Sequence, residues 1–122
     1  MEDDILTGQI IKCAFKVHNT LGFGFLEKVY ENSLVIELEN SGLKADQQKA
    51  VKVLYDGKPV GDYVADVIVN DDVIVEIKSV STLAKEHEVQ LVNYLKATGK
   101  PRGLLINFGR SVDVKRKHLN PS

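Results

Sequence analysis

The feature that most constrains this chain is a predicted hairpin at residues 63–79, YVADVIVNDDVIVEIKS, in which charges interrupt two apolar strands. Apolar residues occupy successive positions in both strands, so each strand has apolar side chains on both faces. Strands of that kind lie inside a sheet that is covered on both sides. The hairpin is therefore predicted to be central in the fold, with Asp66, Glu76 and Lys78 as unusual charges within it.

The spacing of the hairpin brings these charges together. A three-residue loop, NDD, places Val69 opposite Val73, and Asn and Asp tolerate the left-handed backbone that such a loop needs. In that register Asp66 faces Glu76 across the ladder. Side chains alternate along a strand, so Lys78 shares a face with Glu76. We expect two carboxylates and one ammonium group to converge on one face of an apolar sheet.

Such a cluster is costly unless something compensates for it. Carboxylates opposite each other repel, and each loses hydration when it is buried. A divalent cation between them would remove both costs, since hard cations such as Mg²⁺ bind carboxylate oxygens and keep several waters. Lys78 could then orient or deprotonate a water molecule, or stabilise an oxyanion.

Two other interpretations of the charges stay open. They could form a structural carboxylate–lysine cluster at a sheet end, or they could line a strand face that is solvated. Short charged patterns arise in many strands by chance, so the spacing D-x9-E-x-K does not decide between the three interpretations.

Composition limits the class of protein. At 122 residues, the chain (1–122) is expected to form one domain with one core. The net charge of −1 gives no overall basic field, so contact with a polyanion would depend on a local patch or a metal. Cys13 is the single cysteine; this excludes an internal disulfide and suits the cytoplasm. The acidic N-terminus has no signal-peptide pattern, and no apolar run is long enough to span a membrane.

Periodicity and turn residues predict eight elements around a mixed α+β sheet with helices on both faces. Three consecutive strands form a meander, and a crossover helix then leads into a further strand. The predicted helices are at about 5–19, 25–40 and 83–98, and the predicted strands are at about 48–55, 60–69, 73–77, 102–107 and 112–117.

Two polar residues on the predicted helices are candidates for the same site. Glu27 lies at the edge of the apolar stripe of the second helix and can face inward, although an early glutamate also simply complements the helix dipole. Gln90 shares a face of the third helix with His87 and Tyr94. It could hydrogen-bond a phosphate or a metal-bound water, or it could be a satisfied buried glutamine.

The order of elements and these residues together resemble the PD-(D/E)XK nuclease superfamily, whose fold is restriction-endonuclease-like. Asp66 and the stretch 76–78 (EIK) match its signature, and Gln90 and Tyr94 match the Q-x-x-x-Y pattern often found on the following helix. More narrowly, the chain resembles the GxxExxY family, whose motif stands here at 24–30 as GFLEKVY. The stretches DVIVNDDVIVEIKSV, HEVQLVNYLKATG and GLLINFG also match, so the resemblance covers about 5–119.

The resemblance implies a magnesium-dependent phosphodiester hydrolase in which Mn²⁺ can substitute. Lys78 would position or activate the attacking water, and Gln90 would steady the site from the third helix. The implied metal ligands are Glu27, Asp66, Glu76 and the backbone carbonyl of Ile77.

Two functions follow as hypotheses. The first is a cytoplasmic, homodimeric nuclease that acts on DNA in preference to RNA; the presence of three charges in a core sheet favours it. The second is a catalytically inactive nuclease-fold module for nucleic-acid binding or protein assembly, which the near-zero net charge favours.

Overall fold

The computed structural model describes the backbone of residues 2–119 and the side chains of residues 5–119. Within that range, helices and strands follow one another in the predicted order. The elements are α1 (Glu2–Leu21), α2 (Glu27–Asn40), β1 (Ala45–Tyr55), β2 (Lys58–Val69), β3 (Val73–Lys78), α3 (Lys85–Thr98), β4 (Arg102–Phe108) and β5 (Val112–His118).

The strands form a five-stranded mixed sheet in the order β1-β2-β3-β4-β5. The pairs β1/β2, β2/β3 and β4/β5 are antiparallel, whereas β3 and β4 are parallel. A parallel connection needs a crossover, and α3 provides it. This confirms the predicted meander followed by a crossover helix.

Helices cover both faces of the sheet. On one face, Ile10, Val17 and Leu34 of α1 and α2 pack against apolar side chains of the central strands. On the other face, Leu91 and Leu95 of α3 pack against a smaller apolar cluster. Every residue of β4 is buried, while β1 and β5 at the sheet edges are largely exposed. The fully apolar runs of the sequence therefore correspond to strands buried on both sides. No helix in residues 2–119 is long and apolar enough to cross a membrane.

The predicted register of the central hairpin is confirmed. Val69 pairs with Val73 and Val67 pairs with Val75. Asn70 and Asp71 adopt the left-handed backbone expected of the loop, with φ of 52° and 55°.

An irregularity at Asp66 was not predicted. Ala65 and Ile68 both pack on the α3 side of the sheet, so the alternation of β2 is interrupted between them. On the neighbouring strand, Gln48 lies between the pairs Gln47↔Val67 and Lys49↔Ala65 and has a left-handed φ of 53°. Gln48 and Asp66 therefore face each other outside the regular ladder, without a shift of register, and Asp66 is left to contact the end of β3.

Several element boundaries differ from those predicted. The second helix begins at Glu27 rather than near position 25, because Gly24 has a φ of 107° and keeps the preceding segment out of the helix. The third helix begins at Lys85 rather than near 83, and its N-cap is Ala84 instead of a serine or threonine. The side chain of His87 accepts a hydrogen bond from the Ala84 N–H (3.1 Å) and replaces the missing cap.

Candidate active site

Asp66 of β2 and Glu76 of β3 are in contact. The Ile77 N–H donates a hydrogen bond to Asp66 Oδ2 (2.8 Å), and the Asp66 N–H donates one to Glu76 Oε1 (3.4 Å). Each carboxylate is thus anchored on the backbone beside the other acid. The two acids lie side by side, as the hairpin register predicts.

Burial determines the protonation state of Glu76. Glu76 is only 7% exposed. Loss of hydration, followed by the negative charge of Asp66, raises the pKa of Glu76 to about 9, although Lys78 opposes the shift. At neutral pH the Glu76 carboxyl therefore keeps its proton. A divalent cation that binds here would replace that proton and remove the repulsion.

Glu27, the first residue of α2, faces the same cluster. The pKa of its half-buried carboxyl lies above the ordinary value, chiefly because of burial. The positive charge of Lys78 opposes this shift, and the negative charge of Asp66 adds to it. Glu27 is therefore within electrostatic range of both residues. The structure brings Glu27, Asp66, Glu76 and Lys78 together from α2, β2 and β3.

The G-x-x-E-x-x-Y spacing has a clear structural basis. Gly24 has the positive φ that glycine tolerates best. The Tyr30 hydroxyl donates to the Gly22 carbonyl (2.7 Å) and accepts from the Phe25 N–H (3.3 Å). The fully buried Tyr30 ring stacks on Phe108 at 4.6 Å. Glycine and tyrosine together fix the loop that carries Glu27.

Sequence reasoning missed Asn107, which fixes the chain just beyond Lys78. Asn107 pairs with Lys78 in the β3/β4 register. Its amide oxygen accepts from the Val80 N–H (2.9 Å) and its amide nitrogen donates to the Val80 carbonyl (2.8 Å). Ser79 Oγ donates to the Phe25 carbonyl (3.0 Å) and connects the end of β3 to the loop before α2. The signal for Asn107 was a polar residue at the end of the apolar strand RGLLIN.

Glu31 was also missed. Its carboxylate is almost completely buried (2% exposed) and accepts hydrogen bonds from Lys28, Gln47 and Gln48 at 2.6–3.0 Å. Burial alone would raise the pKa of Glu31, but these hydrogen bonds lower it below its ordinary value. Glu31 follows Glu27 by one helical turn and connects α2 to β1 at Gln47 and Gln48. The signal was a second glutamate four residues after the first.

Two expected residues are placed differently from the others. Gln90 is exposed on α3, so the interpretation of Gln90 as a buried glutamine is wrong. Two other side chains of α3 interact electrostatically with the acids: the charge of His87 lowers the pKa of Glu27, and burial, followed by the charges of Glu76 and Asp66, raises the pKa of Tyr94. The Ile77 side chain packs in the α1/α2 core, and its N–H contacts Asp66.

The carboxylate set suits a hard cation with many waters. Among residues 5–119 no group of three or more His, Cys, Asp or Glu side chains is arranged to hold a metal by itself. Mg²⁺ commonly binds through one or two carboxylates, with waters and substrate phosphates completing its shell. Asp66 and Glu76 would supply the two carboxylates of such a site.

The mixed sheet thus carries a half-buried aspartate and a buried glutamate beside a lysine. Residues 4–118 match the PD-(D/E)XK nuclease superfamily. The chain belongs to that superfamily, and its fold is restriction-endonuclease-like.

Solved structures are similar in fold. One, described as the crystal structure of SSO0001, has a TM-score of 0.59 and 18% sequence identity; the match covers 78% of this chain and 52% of SSO0001. This chain thus spans about half the length of that relative. Another is an alkaline exonuclease (LHK-Exo) from Laribacter hongkongensis, with a TM-score of 0.53, 11% identity, and coverage of 88% of this chain and 76% of the exonuclease. No curated protein sequence matches the chain.

Proposed function

We propose that residues 1–122 form one nuclease domain of the GxxExxY type that hydrolyses phosphodiester bonds with the help of Mg²⁺, for which Mn²⁺ can substitute. The observation that carries this proposal is the Asp66–Glu76 pair, in which burial and mutual repulsion raise the pKa of Glu76 to about 9. Two acids held together in this way would bind a divalent cation in place of the Glu76 proton. The structural roles of Gly24 and Tyr30 support the assignment to the GxxExxY family.

In this proposal each residue of the cluster has a separate role. Asp66, Glu76 and Glu27 hold the cation, with the Ile77 carbonyl as a further ligand. When bound, the cation lowers the pKa of water and neutralises charge that develops on the phosphate. The Lys78 ammonium positions the attacking water beside the phosphorus. Gln90 hydrogen-bonds the substrate from the exposed edge of α3.

The proposed substrate is DNA in preference to RNA, the location is the cytoplasm, and the active form is a homodimer. A domain of this size covers little duplex by itself, and pairing of two copies would extend the contact. Light scattering measures the mass directly, and a mass of one chain at micromolar concentration would refute the dimer.

A cleavage assay with paired variants tests the reaction. Wild type, Glu76→Gln and the exposed control Glu39→Gln are incubated with single-stranded, duplex and branched DNA and with RNA, in Mg²⁺, Mn²⁺ or chelator. We expect cutting by wild type and Glu39→Gln only when metal is present, and none by Glu76→Gln. Equal cutting by Glu76→Gln would refute the assignment of the site. Binding without cutting by wild type would favour the inactive nucleic-acid-binding module.

A further inference from the structure

The loop before α2 exposes apolar side chains beside the candidate site. Leu26 is 80% exposed and Phe23 is 57% exposed, and Phe25 is also exposed. We call Phe23, Phe25 and Leu26 the platform. Leu26 is the N-cap residue of α2, so it immediately precedes Glu27.

The platform is held rigidly although it is exposed. The Tyr30 hydroxyl bonds the backbone at Gly22 and Phe25, and Ser79, which follows Lys78, bonds the Phe25 carbonyl. The Phe25 ring also packs edge-on against Tyr30, at 6.2 Å between ring centres. An exposed apolar surface that is fixed in this way is suited to bind a partner without a large ordering cost.

A cationic group lies directly against the platform. The Arg110 guanidinium is 5.0 Å from the centre of the Phe23 ring. Arg110 also lines a cleft of about 390 Å³ with the hydroxyl groups of Ser81, Thr82 and Ser111, although Asp113 lies in its wall as well. The surface thus combines flat apolar groups with a positive charge and hydroxyl donors, at the carboxyl ends of the parallel strands β3 and β4.

These features match the chemistry of a nucleotide whose base is not paired. A base offers a flat face to an aromatic ring, while its phosphate offers a negative charge to arginine and hydroxyl groups. In an intact duplex the bases are already stacked inside the helix. An apolar protein partner would instead bury the Arg110 charge without compensation.

We infer that the platform stacks an unpaired nucleobase next to the scissile phosphate, with Arg110 on a neighbouring phosphate, so that the substrate is single-stranded or has an unpaired nucleotide at the cut. This inference rests on the proposed function and specifies the substrate of the same site.

Binding measurements test the inference separately from hydrolysis. The protein carries Glu76→Gln, which the proposed function makes unable to cut, and binds fluorescent single-stranded or duplex oligonucleotides of one sequence in Mg²⁺. Phe23→Leu, which keeps apolar volume without a ring, should weaken single-strand binding by roughly tenfold, since base stacking on an aromatic ring is typically worth that much or more. Phe23→Trp should retain affinity. The control is Ile36→Ala, since Ile36 is another exposed apolar residue of this chain, on α2.

Arg110→Ala should have a different signature from Phe23→Leu. It should lower the slope of log affinity against log salt by about 0.7, the value for one phosphate contact on a single strand. Phe23→Leu should leave that slope unchanged. Thermal melts of each variant show whether the fold is retained.

Three results would overturn the inference. The first is equal affinity for single strand and duplex, and the second is an equal loss of single-strand affinity in Ile36→Ala and Phe23→Leu. The third is a dimer that dissociates in Phe23→Leu with no change in nucleic-acid affinity. The last result would identify the platform as a contact between copies of the chain. A wild-type protein that cuts no nucleic acid refutes the proposed function, whereas one that cuts but shows no effect of the platform refutes only this inference.

Discussion

At the scale of single residues, Glu76 is the side chain whose protonation state a cation bound at the proposed site would change. Its raised pKa means that the metal-free carboxyl is neutral at neutral pH, and a glutamine has nearly the same shape and charge. Glu76→Gln is therefore expected to melt within a few degrees of wild type in chelator. Millimolar Mg²⁺ or Mn²⁺ should raise the melting temperature of wild type by mass action and leave that of Glu76→Gln almost unchanged. Differential scanning calorimetry measures both, and an equal shift in the two proteins would place the metal elsewhere.

Glu31 gives the stability an acid-dependent component with a definite sign. Its pKa in the folded protein lies below the ordinary value of 4.5, because hydrogen bonds from Gln47, Lys28 and Gln48 outweigh the cost of burial. The unfolded chain thus takes up the proton more readily than the folded one. The stabilisation is complete above the unfolded-state pKa and is lost as the pH falls through the folded-state pKa.

This sign predicts the behaviour of Glu31→Gln. At neutral pH the substitution should cost about 1–3 kcal/mol, because the buried network loses the negative charge and one of the two acceptor oxygens that its donors use. The cost should shrink as the pH falls below 4.5, since wild type then loses the same interactions. Urea unfolding at several pH values measures the difference, and a cost that stayed constant down to the acid limb would contradict the assignment.

At the scale of elements, the sequence predicted the register of the β2/β3 hairpin but not the backbone conformation of the neighbouring strand β1. The loop residues 70–72 and the apolar pattern were enough to set the β2/β3 register, because a slip by one residue would turn apolar side chains out of the core. The irregular backbone at Gln48 was not predictable, since the Gln48 side chain donates its hydrogen bonds to Glu31, which comes from a distant part of the chain. The exposure of Gln90 could not be read from its spacing, because Leu91 beside it fills the contact with the sheet.

The loop before α2 provides a prediction with an internal control. A side chain added at Gly24 would meet open space, but its φ of 107° disfavours any other residue. Gly24→Ala should therefore destabilise the fold by about 1–2 kcal/mol and reduce cleavage by displacing Glu27. At Gly8, inside α1, a side chain also meets open space without a strained φ, so Gly8→Ala should stabilise by about 0.5–1 kcal/mol. Chemical denaturation compares the two variants, and the same sign for both would show that the loop conformation is not what Gly24 provides.

At the scale of the whole molecule, the sequence predicted the fold class and the order of the elements. It did not predict how closely the helices approach the sheet. Apolar runs without alternation predicted a sheet covered on both faces, which the α1/α2 and α3 layers confirm. At one point the approach of α3 to the sheet requires a small residue. A Cβ added at Gly103 of β4 would lie 2.8 Å from Leu91 Cδ1 and 3.1 Å from Leu91 Cγ.

Gly103→Ala is therefore expected to push α3 away from β4. Leu91 is fully buried, so overpacking there should cost about 1–3 kcal/mol. Because α3 carries His87, Gln90 and Tyr94, the displacement should lower the rate of cleavage, while the acids of β2 and β3 keep the thermal shift with Mg²⁺. The control is Gly61→Ala on the exposed ribbon of β1 and β2, where the nearest atom to an added Cβ is at 3.9 Å and the change should be nearly neutral. If Gly103→Ala lost the metal-induced shift as well, the position of the acids would depend on α3. That result would refute the view that α3 and the strands β2 and β3 contribute to the site independently.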